Sequence, residues 1–332
     1  MGKKDINRRK FIYQSICFGG TIILPWKNSF GHEPPSNKNL RIGLIADLHH
    51  DIMHDGKERL LSFIRQANAT GADFIIQMGD FCIPKKQNKE LLDIYRNFNG
   101  PSYHILGNHD MDGGFSREET MEFWGMKKRY YSFDHNGFHF VILDGNDPNP
   151  KPWSGYNRFI NSEQQEWLRQ DLEKTDLNTF VFSHQTIENE EGGVANFLEM
   201  RQILEEANKS GGNNKVVACF SGHHHTDYMT EINDIYYIQI NSASYRWVGD
   251  DFQYVRYSKE IDEKYPWIKY TIPYKDPLFT FVEIDPTGFL SLEPKSTEFV
   301  GPGPDEMDGP ETAANDPIVP RISGFNFKFS NQ

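Results

Sequence analysis

Between residues 41 and 240 the chain repeats one pattern: a short apolar run that stops at a cluster of Asp, His, Asn and Gly. The run 41–46 stops at Asp47-Leu48-His49, 74–78 at Gly79-Asp80, and 103–106 at Gly107-Asn108-His109-Asp110. Further on, 180–183 stops at His184 and 216–220 at Gly222-His223-His224-His225. Runs this short, separated by polar amphipathic stretches, read as strands covered by helices. With 138–143 and 236–240 they make seven strands, the body of a large sheet. Apolar spacing at Leu60, Leu61, Ile64 and Ala67 predicts a helix over 58–69, and the capping box Ser162-Glu163-Gln164-Gln165 opens another over 162–172. Later strands at 279–284 and 289–292 are expected to close a second sheet. The predicted fold class is therefore α/β, a four-layer α-β-β-α sandwich of two packed mixed sheets flanked by helices.

The carboxyl ends of neighbouring strands lie side by side, so residues far apart in sequence meet in one crevice there. A glycine at a strand exit lets the backbone turn sharply and aims the next side chain into that crevice. Asp and His with one amide, and no cysteine, form a donor set suited to Mn, Fe or Zn. Singly, an Asp-x-His or a Gly-Asp is an ordinary turn. In order, the five blocks resemble the signature of the calcineurin-like metallophosphoesterases, over roughly residues 40 to 294.

That resemblance implies two divalent or trivalent ions. Asp47, His49 and His225 would hold one, Asn108, His184 and His223 the other, and Asp80 would bridge them. It implies hydrolysis of phosphate mono- or diesters by a water activated between the ions. His109 is not a ligand in that family and would act as general acid, with Asp110 accepting a hydrogen bond from it. The family's purple acid phosphatase branch places a tyrosine ligand three residues after the bridging Asp; here Ile83 stands there. His224, between two ligands on alternating sides, is expected to point away, and His104, His135 and His139 are read as structural.

A formal charge of −12 argues against a duplex nucleic-acid partner, which needs a basic surface to displace counterions. The expected partner is a small phosphorylated molecule: a nucleotide, a sugar phosphate or a lipid head group. Three scattered cysteines make neither a disulfide framework nor a cysteine metal site. Residues 1–31 carry six Lys or Arg against one acidic residue and read as an export signal peptide. Asn7-Arg8-Arg9-Lys10-Phe11-Ile12 resembles a twin-arginine signal, which implies the bacterial periplasm, and the apolar run 11–25 is too short for a permanent membrane span.

The phosphoesterase domain is expected over 40–296. Within it 245–277, dense in Tyr and Trp, reads as an insertion or lid, with Tyr245 and Arg246 as candidate substrate contacts. The Pro- and Gly-rich tail 297–332 ends in alternating residues that suit a final edge strand. Two other functions are compatible with these residues: a pyrophosphatase on nucleotide-diphosphate conjugates, and a non-catalytic binding module that keeps the metals.

Overall fold

A computed structural model describes residues 38–210, 215–307 and 317–329. The export-signal expectation for 1–31 lies outside them. No helix among the described residues is long and apolar enough to cross a membrane.

The chain opens with three parallel strands, β1 (Leu40–Ile45), β2 (Phe74–Gln77) and β3 (Ser102–His104), connected through helices α1 (Gly56–Thr70) and α2 (Lys89–Tyr95). After α3 (Arg117–Trp124) come β4 (Tyr131–His135), β5 (Phe138–Ile142), α4 (Ser162–Lys174), β6 (Thr179–Phe182), α5 (Phe197–Ser210), β7 (Val216–Ser221), β8 (Tyr228–Ile232) and β9 (Ile235–Gln239). A two-stranded ribbon, β10 (Tyr245–Trp247) with β11 (Thr271–Pro273), encloses the short helix α6 (Lys259–Lys264). Then follow β12 (Thr280–Asp285), β13 (Phe289–Leu292), a second small ribbon of β14 (Lys295–Ser296) with β15 (Arg321–Ile322), and β16 (Phe325–Lys328).

Two six-stranded mixed sheets result, ordered β16-β13-β12-β1-β2-β3 and β4-β5-β6-β7-β9-β8. The seven early apolar runs do not share a sheet, as the sequence reading has it. β1 to β3 share a sheet with the late strands, since β12 lies antiparallel along β1, while β5, β6, β7 and β9 belong to the other sheet.

Alternation along the strands sorts the side chains into layers. Leu40, Ile42 and Leu44 of β1 meet Phe180 and Phe182 of β6 in the core between the sheets. On the outer face of the first sheet Ile45 and Ile75 pack against Leu60, Phe63 and Ile64 of α1. On the outer face of the second, Val141, Val181 and Cys219 pack against Leu168 of α4 and Ile203 of α5. The order is helix, sheet, sheet, helix. α4 begins one residue earlier than the predicted box: Asn161 is the N-cap, its side chain accepting from the Gln164 N–H.

His139, on β5, shows how a buried imidazole is kept by its neighbours. Nδ1 lies 2.6 Å from Asp134 and Nε2 3.0 Å from Asp171 of α4. Burial opposes the charged ring, but hydrogen bonds to Asp171 and Asp134 outweigh it and raise the pKa. A raised folded-state pKa means this stabilisation is complete below the unfolded value of about 6.5 and is lost as pH rises through the folded one. Thermal unfolding is therefore expected to shift downward from neutral into alkaline pH. His139→Gln should flatten that slope and cost roughly 1–3 kcal/mol at its acid end; an unchanged slope in the variant would show that another group sets it.

Candidate metal centre

Five strand ends, three from the first sheet and two from the second, converge at one end of the sandwich. Asp47, His49 and His225 bring their ligand atoms within 4.8 Å of one another, and so do Asp80, His184 and His223. The two groups touch: His49 Nε2 lies 3.6 Å from Asp80 Oδ2 and His184 Nε2 lies 4.0 Å from Asp47 Oδ1. Asp80 Oδ2 is also 3.1 Å from His184 Nε2, which puts this carboxylate between the groups. The two sheets are tied at this point, because the His223 N–H donates to Asp47 Oδ2 at 3.0 Å.

Four observations fit metal ions to these residues. Asn108 is buried, and neither atom of its amide has a hydrogen-bond partner, a costly state unless a ligand completes it. Two histidines are oriented by carbonyls: His184 Nδ1 donates to Met78 at 2.9 Å and His225 Nδ1 to Tyr245 at 2.7 Å, leaving each Nε2 to face a carboxylate. Left-handed backbone is concentrated here, at Asp47 (φ 52°), His49 (45°), Asp80 (52°), His223 (68°) and His225 (51°), strain of the kind held at functional sites. Fourth, the carboxylate, imidazole and amide donors are those that Mn, Fe and Zn take.

The strand-exit glycines serve more by absence of a side chain than by turning. Gly107 and Gly222 have ordinary φ, yet a Cβ there would stand 2.2 Å from Asp80 Oδ1 and 2.5 Å from Asp47 Oδ2. Only Gly79, with φ 98°, also needs the left-handed region, and its Cβ would strike the His184 ring.

Charge is distributed unevenly over the imidazoles. Burial pushes His49 and His223 well below the usual histidine value, with neighbouring imidazoles adding to it, so both rings are neutral. His184 is equally buried, but the charge and hydrogen bond of Asp80 raise it to about 10. Burial would raise Asp80, and the facing His184, His109 and His49 hold it well below the carboxylate range.

His109 stands beside this centre, its ring 5.2 Å from that of His49. Its Nδ1 is 2.7 Å from Asp112 Oδ2, not bonded to Asp110 as the sequence reading expects. Residues 109–111 form a 3₁₀ turn, in which i and i+3 share a face while i+1 points elsewhere. Asp110 turns inward and accepts four backbone N–H groups, from Phe81 and Cys82 on Oδ1 and from Asp80 and Gly107 on Oδ2. It braces the loops after β2 and β3. Burial and Asp80 push its pKa up, and the amide donors oppose that shift by favouring the ionised form. Burial alone would lower the His109 pKa, but Asp80 and Asp112 raise it to about 8.

Sequence reasoning missed two residues at this point. Asp112 is signalled only by its i+3 spacing, and Tyr156 by nothing local. Tyr156 Oη lies 2.9 Å from Asp112 Oδ1 and 3.1 Å from His109 Nδ1, with its ring 4.6 Å from the imidazole. The two hold Nδ1 and leave Nε2 to the cleft.

The candidate substrate residues differ in placement. Tyr245 is buried, its ring stacked 5.0 Å from that of His49, while Arg246 Nη1 donates to the His224 carbonyl at 2.6 Å. Both line a cavity of about 800 Å³ that opens over Asp80, His109, His223 and His225. His224 lines it too, with Nε2 against the Glu191 carbonyl rather than among the ligands.

Two mixed sheets with helices on both outer faces, and six Asp and His donors in two touching groups at one end, define a dinuclear metal site of the phosphoesterase type. The calcineurin-like phosphoesterase family model matches residues 40–227, and the chain belongs to that family. A manganese-dependent ADP-ribose/CDP-alcohol diphosphatase of Arabidopsis thaliana is 31% identical over 138 residues, 33% of this chain and 44% of the relative, so the match spans less than half of that protein. Among solved structures, a dimetal phosphatase from Danio rerio superposes with a TM-score of 0.59 at 13% identity, over 90% of this chain and all of the other. GAP50, the anchor in the inner membrane complex of Plasmodium, gives 0.51 at 14% identity over 89% of each chain. Identities this low show a common fold.

Proposed function

We propose that this chain hydrolyses phosphate mono- or diesters using two ions, Mn, Fe or Zn. Asp47, His49 and His225 would hold one and Asn108, His184 and His223 the other, with Asp80 between them. The observation that carries the reading is the pairing of two touching ligand groups with the unpartnered amide of Asn108. Bound ions at such a centre supply positive charge for phosphoryl oxygens and lower the pKa of a bound water.

The protein's own residues supply the rest. His184 and His225 keep Nε2 toward the centre because carbonyls hold Nδ1. His109, kept protonated by Asp80 and Asp112 and oriented by Tyr156, gives a proton from Nε2 to the departing alkoxide. Metal-stripped protein is expected to turn over neither p-nitrophenyl phosphate nor bis-p-nitrophenyl phosphate, and Mn, Fe or Zn to restore activity, the preferred ester reporting the substrate class. Full turnover by protein shown free of metal would sink the reading.

A second reading, cleavage of the pyrophosphate bond in nucleotide-diphosphate conjugates, has support of its own. The cavity is far larger than one phosphoryl group requires, Lys85 on its wall suits a second phosphate, and the Arabidopsis relative acts on such molecules. Turnover of ADP-ribose well above that of either nitrophenyl ester would favour it.

A further inference from the structure

The cavity extends past the metal ligands along the ribbon of β10 and β11. Tyr245 and Trp247 sit two residues apart on β10, so they share a face about 7 Å apart along the strand. Tyr245 packs on His49 and His225, which places Trp247 one step outward from the centre. There Trp247 begins an aromatic row: its ring stacks 5.9 Å from Tyr270, and Tyr270 lies 5.6 Å from Trp267. Trp247 and Trp267 are 44% and 57% exposed, a large apolar area to leave in water, and both line the cavity that holds His223 and His225.

The cavity wall also carries Asp112 and Tyr156, bonded to each other and to His109, and Arg246, bonded to the His224 carbonyl. Ile52, Ile83 and Lys85 line it, and the Asp51 carboxylate is occupied by the Ile83 N–H and the Asn88 amide. A sugar site pairs an aromatic platform with free polar groups for hydroxyls. Indole faces beside isoleucines instead suit a flat heteroaromatic ring, which stacks without directional bonds. Trp247 stands one strand step, about 7 Å, beyond the Tyr245 that packs on His49 and His225, so a ligand seated at the ligand cluster and reaching along the ribbon meets the indole.

We infer that Trp247 and Trp267 form a stacking subsite for the base of a nucleotide whose phosphate lies at the metal centre. The inference rests on the proposed phosphoesterase reading for where the phosphate sits, and its test is independent of turnover. Adenosine 5′-monophosphate, glucose 1-phosphate and inorganic phosphate are titrated calorimetrically into metal-free and into Mn-loaded protein. The nucleotide is expected to bind at least about tenfold tighter than either other ligand. Trp247→Ala and Trp267→Ala should each weaken the nucleotide about tenfold and leave inorganic phosphate unchanged.

Quenching of the wild-type tryptophan fluorescence by the nucleotide, but not by phosphate, checks the same contact without any variant. Equal binding of nucleotide and phosphate, tighter binding of glucose 1-phosphate, or nucleotide affinity unchanged in both variants would overturn the subsite. Protein that binds the nucleotide through these indoles but hydrolyses no ester with metal restored would keep the subsite and sink the phosphoesterase reading.

Discussion

His109→Gln is expected to lower kcat by about a hundredfold to ten-thousandfold on phosphate esters with alkyl leaving groups while leaving the bound metal unchanged. An alkoxide is too basic to leave without a proton, and His109 is the imidazole that its neighbours hold ready to give one. A p-nitrophenolate leaves as a stable anion, so the same substitution should cost far less on nitrophenyl esters. The pH dependence follows in sign: activity on alkyl esters is carried by the protonated ring and falls as pH rises through its pKa, and the variant loses that fall. Steady-state kinetics on both ester types, with metal content measured by elemental analysis, decide the matter. Equal losses on both, or loss of metal, would mean that His109 supports the ligands instead.

Asp110→Asn is expected to unfold the site around the metals. Each carboxylate oxygen accepts two backbone N–H groups, and an amide can present only one oxygen, so two buried donors would face an NH₂. A buried donor left without its acceptor costs about 1–3 kcal/mol, so stranding two predicts a loss of about 2–6 kcal/mol of stability. The Asp80 and Gly107 amides sit in the loops that carry Asp80 and Asn108, so metal affinity should fall together with the unfolding temperature. Denaturant unfolding with and without added Mn measures both. A variant of wild-type stability and metal content would show that these loops hold their shape without Asp110.

The contrast between Asp110 and Asp112 shows where the chain alone stops being informative. Both follow His109 closely, and both are acids able to orient an imidazole. The choice is made by the 3₁₀ turn, which brings residue 112 back beside 109 and drives 110 into the loops below. Tyr156 arrives from a loop 47 residues further on, with no periodicity or motif to announce it. β4 and β8 were equally hard to read. They are the edges of the second sheet, half exposed and carrying Asp, His and Glu, so the apolar run that marks a central strand is missing.

By itself the amino-acid sequence determined the layers and the blocks of Asp, His and Asn that stand at the strand exits. A short continuous apolar run bounded by polar turns suits a strand buried on both faces, and a metal centre needs fixed donor types that must stand at strand exits to converge. Tertiary structure alone decided which strands share a sheet, because β1 and β6 are both short buried apolar strands and the pairing of β12 along β1 puts β1 in the sheet that β6 does not join. It alone brought the second sheet's histidines onto the first sheet's carboxylates, made glycines into clearance for Asp47 and Asp80, and set Asp112 and Tyr156 on His109. Those are matters of distance between residues far apart in the chain, and local sequence carries no information about such distances until the core has packed.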